Sequence, residues 1–162
     1  MGFDLYGMNE KSKEEGDYFR ANVWYWRPLW QYVTVACDDI LTGRDMERGE
    51  YNDGHKISKT KANRIASRLK KLDKNGSIMK YESEYKTYLR SLPKVDCNIC
   101  EGTGVREDEI GREARKEDEE YKCNGCLGEG KRDNFNTSYP FESEEVIRFA
   151  EFCEHSGGFE IC

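Results

Sequence analysis

The sequence predicts an α+β fold, mainly helical: a small helical domain with short terminal strands and an inserted, cysteine-bearing hairpin or arm. Three observations carry this. Apolar residues recur at helical spacing in four separate stretches. Short alternating segments, GFDLYG and FEIC, stand near the two ends. Residues 95–132 hold almost no apolar side chains beyond Val95, Ile99, Ile110 and Leu127, so something other than a core must order them.

In chain order, GFDLYG places Phe3 and Leu5 on one side of an extended stretch, and NEKSKEEGD reads as an exposed loop. The aromatic block YFRANVWYWRPLWQYVTVACDDILTG follows. Pro28 suits the first turn of a helix, where its missing N–H costs nothing. Leu29, Val33, Ala36, Cys37 and Ile40 then repeat at helical intervals, and Gly43 is a natural stop, so a helix is expected over 28–42. RDMERGEYNDGHK carries turn chemistry in Asn52, Asp53 and Gly54.

A second helix starts at Ser58, a capping residue, with Ile57 and Ala62 placed as a hydrophobic staple. Its buried stripe is Ala62, Ile65, Ala66, Leu69 and Leu72, and Gly76 closes it. A third spans 78–91, with Tyr81, Tyr85, Tyr88, Leu89 and Leu92 in register and Pro93 forbidding continuation. In the last helix Ser143 caps, Glu144 and Glu145 favour the positive end, and Val146, Phe149, Ala150 and Cys153 face inward. Gly157 and Gly158 end it before the FEIC strand. Three segments result: a helical domain over 1–94, an insert over 95–132, and a C-terminal helix and strand over 133–162 that pack back on the first.

A chain of 162 residues fits one domain with at most a small module attached. Charged residues at 36% and a net charge of -6 indicate a soluble, mildly acidic protein. No apolar run approaches the roughly 18 residues of a membrane span, so no membrane role is expected. MGFDLYGMNEK lacks the basic-then-apolar pattern of a secretory signal, and Tyr6 stands where myristoylation requires Ser or Thr. Seven cysteines, an odd number, fit a closed disulfide framework poorly. A reducing, cytoplasmic setting follows.

Four of those cysteines fall in a phrase written twice, CNICEGTGVR from Cys97 and CNGCLGEGKR from Cys123. A Cys-x-x-Cys turn lets the backbone curl round one ion, and zinc favours four such sulfurs in a tetrahedron. Gly102, Gly104, Gly128 and Gly130 permit the positive φ values a knuckle needs and free backbone N–H groups to meet sulfur. The 22 residues between Cys100 and Cys123 lie close to the usual zinc spacing. One zinc ion held by Cys97, Cys100, Cys123 and Cys126 is the reading; it would take the net charge to about -8. A redox pair would stand alone at a strand-to-helix junction, and the repeated knuckle favours zinc over an iron–sulfur centre.

The phrase resembles the C-x-x-C-x-G-x-G motif of DnaJ-type co-chaperones, matched at Cys97, Cys100, Gly102 and Gly104 and again at Cys123, Cys126, Gly128 and Gly130. Two copies imply one zinc where those proteins use four copies for two. No His-Pro-Asp tripeptide occurs, so the resemblance implies the metal geometry and not chaperone function. The whole chain is similar to small uncharacterised proteins of tailed phages and related bacterial genomes, through GFDLYG, YFRANVWYWRPLW, YNDGHKISKTKA and SGGFEIC. That likeness implies an accessory, host-directed role in the host cytoplasm.

Catalytic candidates are sparse. His55 reads as an exposed loop residue, and His155, two residues after Cys153, as a histidine meeting a helix end. Asp38 and Asp39 would point about 100 degrees apart on a helix. Neither a P-loop nor a nucleophile elbow is written. Four thiolates close a tetrahedron and leave no position for a catalytic water, so an enzyme is not expected.

Binding readings remain. The charged segment 106–122, pinned at both ends by metal, forms a projecting arm suited to a protein partner. Alternatively, Lys59, Lys61, Arg64, Arg68 and Lys71 form a basic stripe for nucleic acid, with tryptophans stacking on bases. In the third, Arg20, Trp24, Trp26, Arg27 and Trp30 line a pocket for a nucleotide-like small molecule.

Overall fold

The computed structural model describes residues 2–113 and 121–162. Its contacts divide into two compact units, the larger formed by the chain up to Thr87 with Tyr139–Cys162, the smaller by Tyr88–Ser138. The expected α+β class is found, helices predominating over a small antiparallel sheet. Among the described residues, no helix is long and apolar enough to cross a membrane.

The larger unit is built on four strands, β1 (Gly2–Gly7), β2 (Tyr18–Asn22), β3 (His55–Ser58) and β6 (Gly158–Ile161), in the order β2-β1-β6-β3. All neighbours are antiparallel, with Leu5 opposite both Phe19 and Ile161 and Ile57 opposite Phe159. Alternation sends Phe3, Leu5, Phe19, Ala21, Ile57, Phe159 and Ile161 into the core. The terminal strands are those the sequence predicts. β2 and β3 lie within the aromatic block and the turn stretch, where the neighbouring aromatic and turn residues mask their alternation.

Two short helices were also concealed. α1 (Lys13–Gly16) occupies part of the expected loop. α2 runs Val23–Ala36, starting five residues before Pro28 and not at it. Asn22 makes this start possible: its side-chain oxygen accepts from the Trp24 and Tyr25 amides at 3.0 and 3.1 Å. Pro28 therefore forgoes only a bond to the Trp24 carbonyl in the first turn. The helix stops at Ala36, not 42, and Gly43 begins α3 (Gly43–Arg48) instead of ending a helix. Thr42 and Asp45 form a reciprocal capping box there, with Asp45 in the role Glu usually fills.

Helix α4 (Lys59–Lys74) has the predicted Ser58 cap, whose Oγ accepts from Lys61 N at 3.4 Å, and buries Ala62, Ile65, Ala66 and Leu69. α5 spans Ser77–Ser91, burying Ile78 and packing Tyr81 against Phe141 at 4.7 Å between ring centroids. Its Tyr88 is exposed, so the predicted tyrosine stripe is buried only in part. α7 (Ser143–His155) turns Val146, Phe149, Ala150 and Cys153 inward as predicted. Ser143 does not cap it; its own amide donates to Glu82 Oε2 at 3.2 Å, a cap lent by α5.

Trp26 and Trp30 are wholly buried and stack at 5.3 Å. Their indole N–H groups donate to the carbonyls of Gly49 and Met46, at 2.8 and 2.9 Å, tying α2 to the end of α3. Gly49 lies flat against the Trp30 ring, where a β-carbon would have no room.

The smaller unit carries β4 (Val95–Asp96) paired antiparallel with β5 (Lys131–Arg132), a short helix α6 (Glu109–Glu113) and a 3-10 turn over Phe135–Ser138. Among the described residues, its buried hydrophobic cluster is Cys97, Cys100, Cys123 and Cys126. The unit also takes in Tyr88–Lys94 and Asp133–Ser138, which the sequence reading assigns to the flanking segments.

Candidate metal centre

The smaller unit is built twice. Each residue of 95–106 has a counterpart 26 positions later, in 121–132. The copies exchange bonds reciprocally, as a two-fold axis between them requires. Cys97 N donates to Gly130 O at 2.8 Å, and Cys123 N donates to Gly104 O at 2.8 Å. β4 pairs with β5, while Val105 bridges Lys122 and Arg106 N donates to Tyr121 O at 3.3 Å.

Within each copy the chain curls round its sulfurs. Gly104 N donates to Cys100 Sγ at 3.3 Å and Gly130 N to Cys126 Sγ at 3.2 Å. The amides of Ile99 and Cys100 point at the Cys97 sulfur, and those of Gly125 and Cys126 at the Cys123 sulfur. Gly104 and Gly130 hold φ of 77° and 72°, and a β-carbon on either would strike a carbonyl of the other copy, that of Gly128 or Gly102. Glu101 and Leu127 also take positive φ, 51° and 54°, a strain the surrounding bonds hold in place.

All four sulfurs lie within 4.8 Å of one another and are buried. Cys97 Sγ is 3.8 Å from Cys123 Sγ, and Cys100 Sγ is 3.7 Å from Cys126 Sγ. Burial raises both the Cys97 and Cys123 thiols. At Cys97 the amide and thiol hydrogen bonds outweigh it and bring the pKa to about 7. At Cys123 hydrogen bonds with Cys100 and Cys126 add to burial and carry it to about 11. Four thiolates this close repel one another unless a cation stands among them. Among the described residues, this is the one group able to hold a metal ion.

The chain matches no protein-family model, no curated protein and no solved structure. The likeness to the DnaJ-type motif therefore rests on the repeated phrase itself. The likeness to tailed-phage proteins gains nothing from these comparisons.

Two side-chain pairs in this unit escaped the sequence reading. Arg132 Nη1 donates to Asn98 Oδ1 at 2.9 Å, and Arg106 Nη1 donates to Asn124 Oδ1 at 2.9 Å. Each ties the Cys-x-x-Cys turn of one copy to the end of the other. The signal was present in the phrase, which repeats both Asn and Arg along with the cysteines. The expected arm over 106–122 is described only in part: its ends pair as above, α6 follows Arg106, and residues 114–120 lie outside the described residues.

The remaining candidates are placed as follows. Lys61 bonds to Asp45, and Arg64 and Arg68 both reach Asp39, at 3.5 and 3.0 Å, so much of the basic stripe is spent on neighbouring carboxylates. Lys59 and Lys71 stand on the same helix, Lys71 beside a shallow depression with Arg64 and Arg68. The aromatic block is not assembled as a pocket. Trp26 and Trp30 fill the core, Trp24 and Arg27 are exposed, and Arg20 lies 3.6 Å from Asp4 on the open sheet face. The physical reason is helical spacing: Trp26 and Trp30, four apart in α2, share the inward face with Leu29 and Val33, while Trp24 and Arg27 fall on the outward one.

His55 is not the exposed loop residue expected. It lies on β3, largely buried, with Nε2 3.0 Å from Asp45 Oδ1. Asp45 is buried and also accepts from Thr42 N at 2.8 Å, Thr42 Oγ1 at 2.6 Å and Lys61 Nζ. Burial would raise its carboxyl, but the hydrogen bonds from Lys61, Thr42 and His55 outweigh this and hold it well below the usual carboxylate range. His155 lies 3.6 Å from Glu154 and 4.0 Å from Glu15, while Cys153 is sealed in the core with its thiol pushed well up by burial.

Proposed function

We propose that Cys97, Cys100, Cys123 and Cys126 hold one zinc ion, and that the unit it organises is a non-enzymatic binding module for a protein partner. The sulfur spacing carries the metal reading. A tetrahedron with zinc–sulfur bonds of about 2.3 Å has edges of about 3.8 Å, and the two cross-copy sulfur pairs are 3.8 and 3.7 Å apart. Four thiolates complete the tetrahedron, which favours a structural over a catalytic ion. Glycine amides aimed at two of the sulfurs spread the thiolate charge.

The protein-partner reading is supported by what surrounds the centre. Leu127 is 81% exposed and Phe135 63%, beside a groove of about 670 Å³ that also takes in Val95 and Cys126. Ion pairs, Lys94–Glu129 and Lys131–Asp96, stand along it at 3.0 and 3.2 Å. An apolar centre with a charged border is the usual anatomy of a recognition surface. The likeness to phage proteins favours a partner in the host cytoplasm whose action the module modulates or blocks. Elemental analysis of the purified chain should give one zinc per molecule; none, or iron in its place, would sink the reading of the centre. Affinity purification from host extract, followed by binding with the purified partner, should give a complex that Leu127→Asp weakens at unchanged zinc content.

A further inference from the structure

The repeated unit has a feature that its metal ligands do not require. Each knuckle carries an asparagine after its first cysteine, at Asn98 and Asn124, and each copy ends on an arginine, at Arg106 and Arg132. The arginines cross over. Arg132 of the second copy holds Asn98 of the first, and Arg106 of the first holds Asn124 of the second, both at 2.9 Å. We infer that these two crossed Asn–Arg pairs are positioning residues for the metal centre, clamping the knuckles face to face so that the four sulfurs are assembled before the ion enters.

This rests on the metal reading above and adds to it the means by which the site is set. Asn98 and Asn124 lie inside the Cys-x-x-Cys turns, so a bond to either side chain fixes the turn that presents two ligands. The partner arginine sits two residues beyond a glycine whose amide meets the second sulfur of the arginine's own copy and whose carbonyl receives the first Cys amide of the other. Each clamp therefore acts between copies, beside the Cys97–Gly130 and Cys123–Gly104 amide bonds that also join them. Two guanidinium groups also bring two positive charges to a centre in which four thiolates and one divalent ion leave a net charge of -2.

The copies are not equal. The Arg106 side chain is only 12% exposed, and its Nε donates to Asp108 Oδ1 at 2.7 Å, an oxygen that also accepts from Gly111 N at 2.9 Å. Arg132 is exposed. The Arg106–Asn124 clamp is thus braced from behind, and its loss is expected to matter more.

The test uses the full chain loaded with zinc or with cobalt(II) as a spectroscopic probe. Asn124→Ala should release metal to a competing chelator about 10- to 100-fold more readily than the unmutated chain, the usual effect of losing a partner outside the ligand shell. Asn98→Ala should have a smaller effect in the same direction. The cobalt spectrum of both should keep its tetrahedral thiolate signature, because no ligand is removed. Asn124→Asp restores an acceptor for Arg106 and should recover slow release, whereas Arg106→Lys keeps the charge without the fork and should recover only part. Slow release from Asn98→Ala and Asn124→Ala together would overturn the clamp while leaving the metal centre standing. An unmutated chain that binds neither zinc nor cobalt would overturn the centre and the clamp with it. Should Asn124→Ala misfold, hydrogen exchange at the Cys97 and Cys123 amides in Asn98→Ala decides: faster exchange supports the clamp and unchanged exchange overturns it.

Discussion

The amide of Cys97 donates to the carbonyl of Gly130 at 2.8 Å, so the first ligand of one knuckle is fixed by the last glycine of the other. Its twin runs from Cys123 to Gly104 at the same distance. A metal bound by the four cysteines and these bonds would support each other, since neither copy has an apolar core beyond those cysteines.

Removing the ion should act on one unit before the other. With a strong chelator, amide protection at Cys97 and Cys123 is expected to fall toward that of an open loop. Protection at Leu5 and Phe159, in the sheet of the larger unit, should stay near its starting value because that sheet packs on its own apolar core. Equal loss at all four amides, followed by hydrogen exchange, would contradict this.

The close approach of the copies makes a sharp steric prediction. Gly104→Ala and Gly130→Ala each place a β-carbon against a carbonyl of the facing copy, at a positive φ. Either should lower zinc retention at least tenfold. Gly76→Ala is the control: φ is 77° but nothing stands near its β-carbon, so a cost of about 1 kcal/mol in unfolding is expected and no change in metal content.

Acid should weaken the larger unit through Asp45. Its folded pKa lies below the unfolded value of about 3.9, so its contribution is complete above that pH and is lost as pH falls toward the folded value. Urea unfolding followed by Trp26 and Trp30 fluorescence should show a midpoint that drops below about pH 4. Asp45→Asn should lower stability by about 3 kcal/mol at pH 7 by leaving Lys61 and His55 without their carboxylate, and should flatten the acid limb. A variant with the same acid limb as the unmutated chain would exclude Asp45 as its source.

Trp30 links α2 to α3 through one bond to the Met46 carbonyl in a stacked, wholly buried position. Trp30→Phe removes that donor and part of the ring, and should cost about 2 to 4 kcal/mol in thermal or urea unfolding. Zinc content should not change.

Where an element's instructions lie within a few residues, the sequence was enough. The stripe of α4 with its Ser58 cap, the inward face of α7, and the alternation of Phe3 and Leu5 are local patterns that tertiary contacts only confirm. The four cysteines were legible for the same reason, because the two-residue spacing and following glycines encode the knuckle itself. Pro28 misled because the cap that starts α2, Asn22, lies six residues before it, beyond the turn that a local reading of Pro28 covers.

Tertiary structure alone decided what lies between distant segments. It seated β6 between β1 and β3, buried His55 beside Asp45, and sent Trp26 and Trp30 into the core while leaving Trp24 and Arg27 outside. It also crossed Arg106 and Arg132 onto the opposite knuckles. Spacing along a chain sets which side chains share a face, but the partner of that face is chosen by the burial and hydrogen bonding of the whole. The repeated phrase could name its ligands; only the folded pair of copies could show how each holds the other in place.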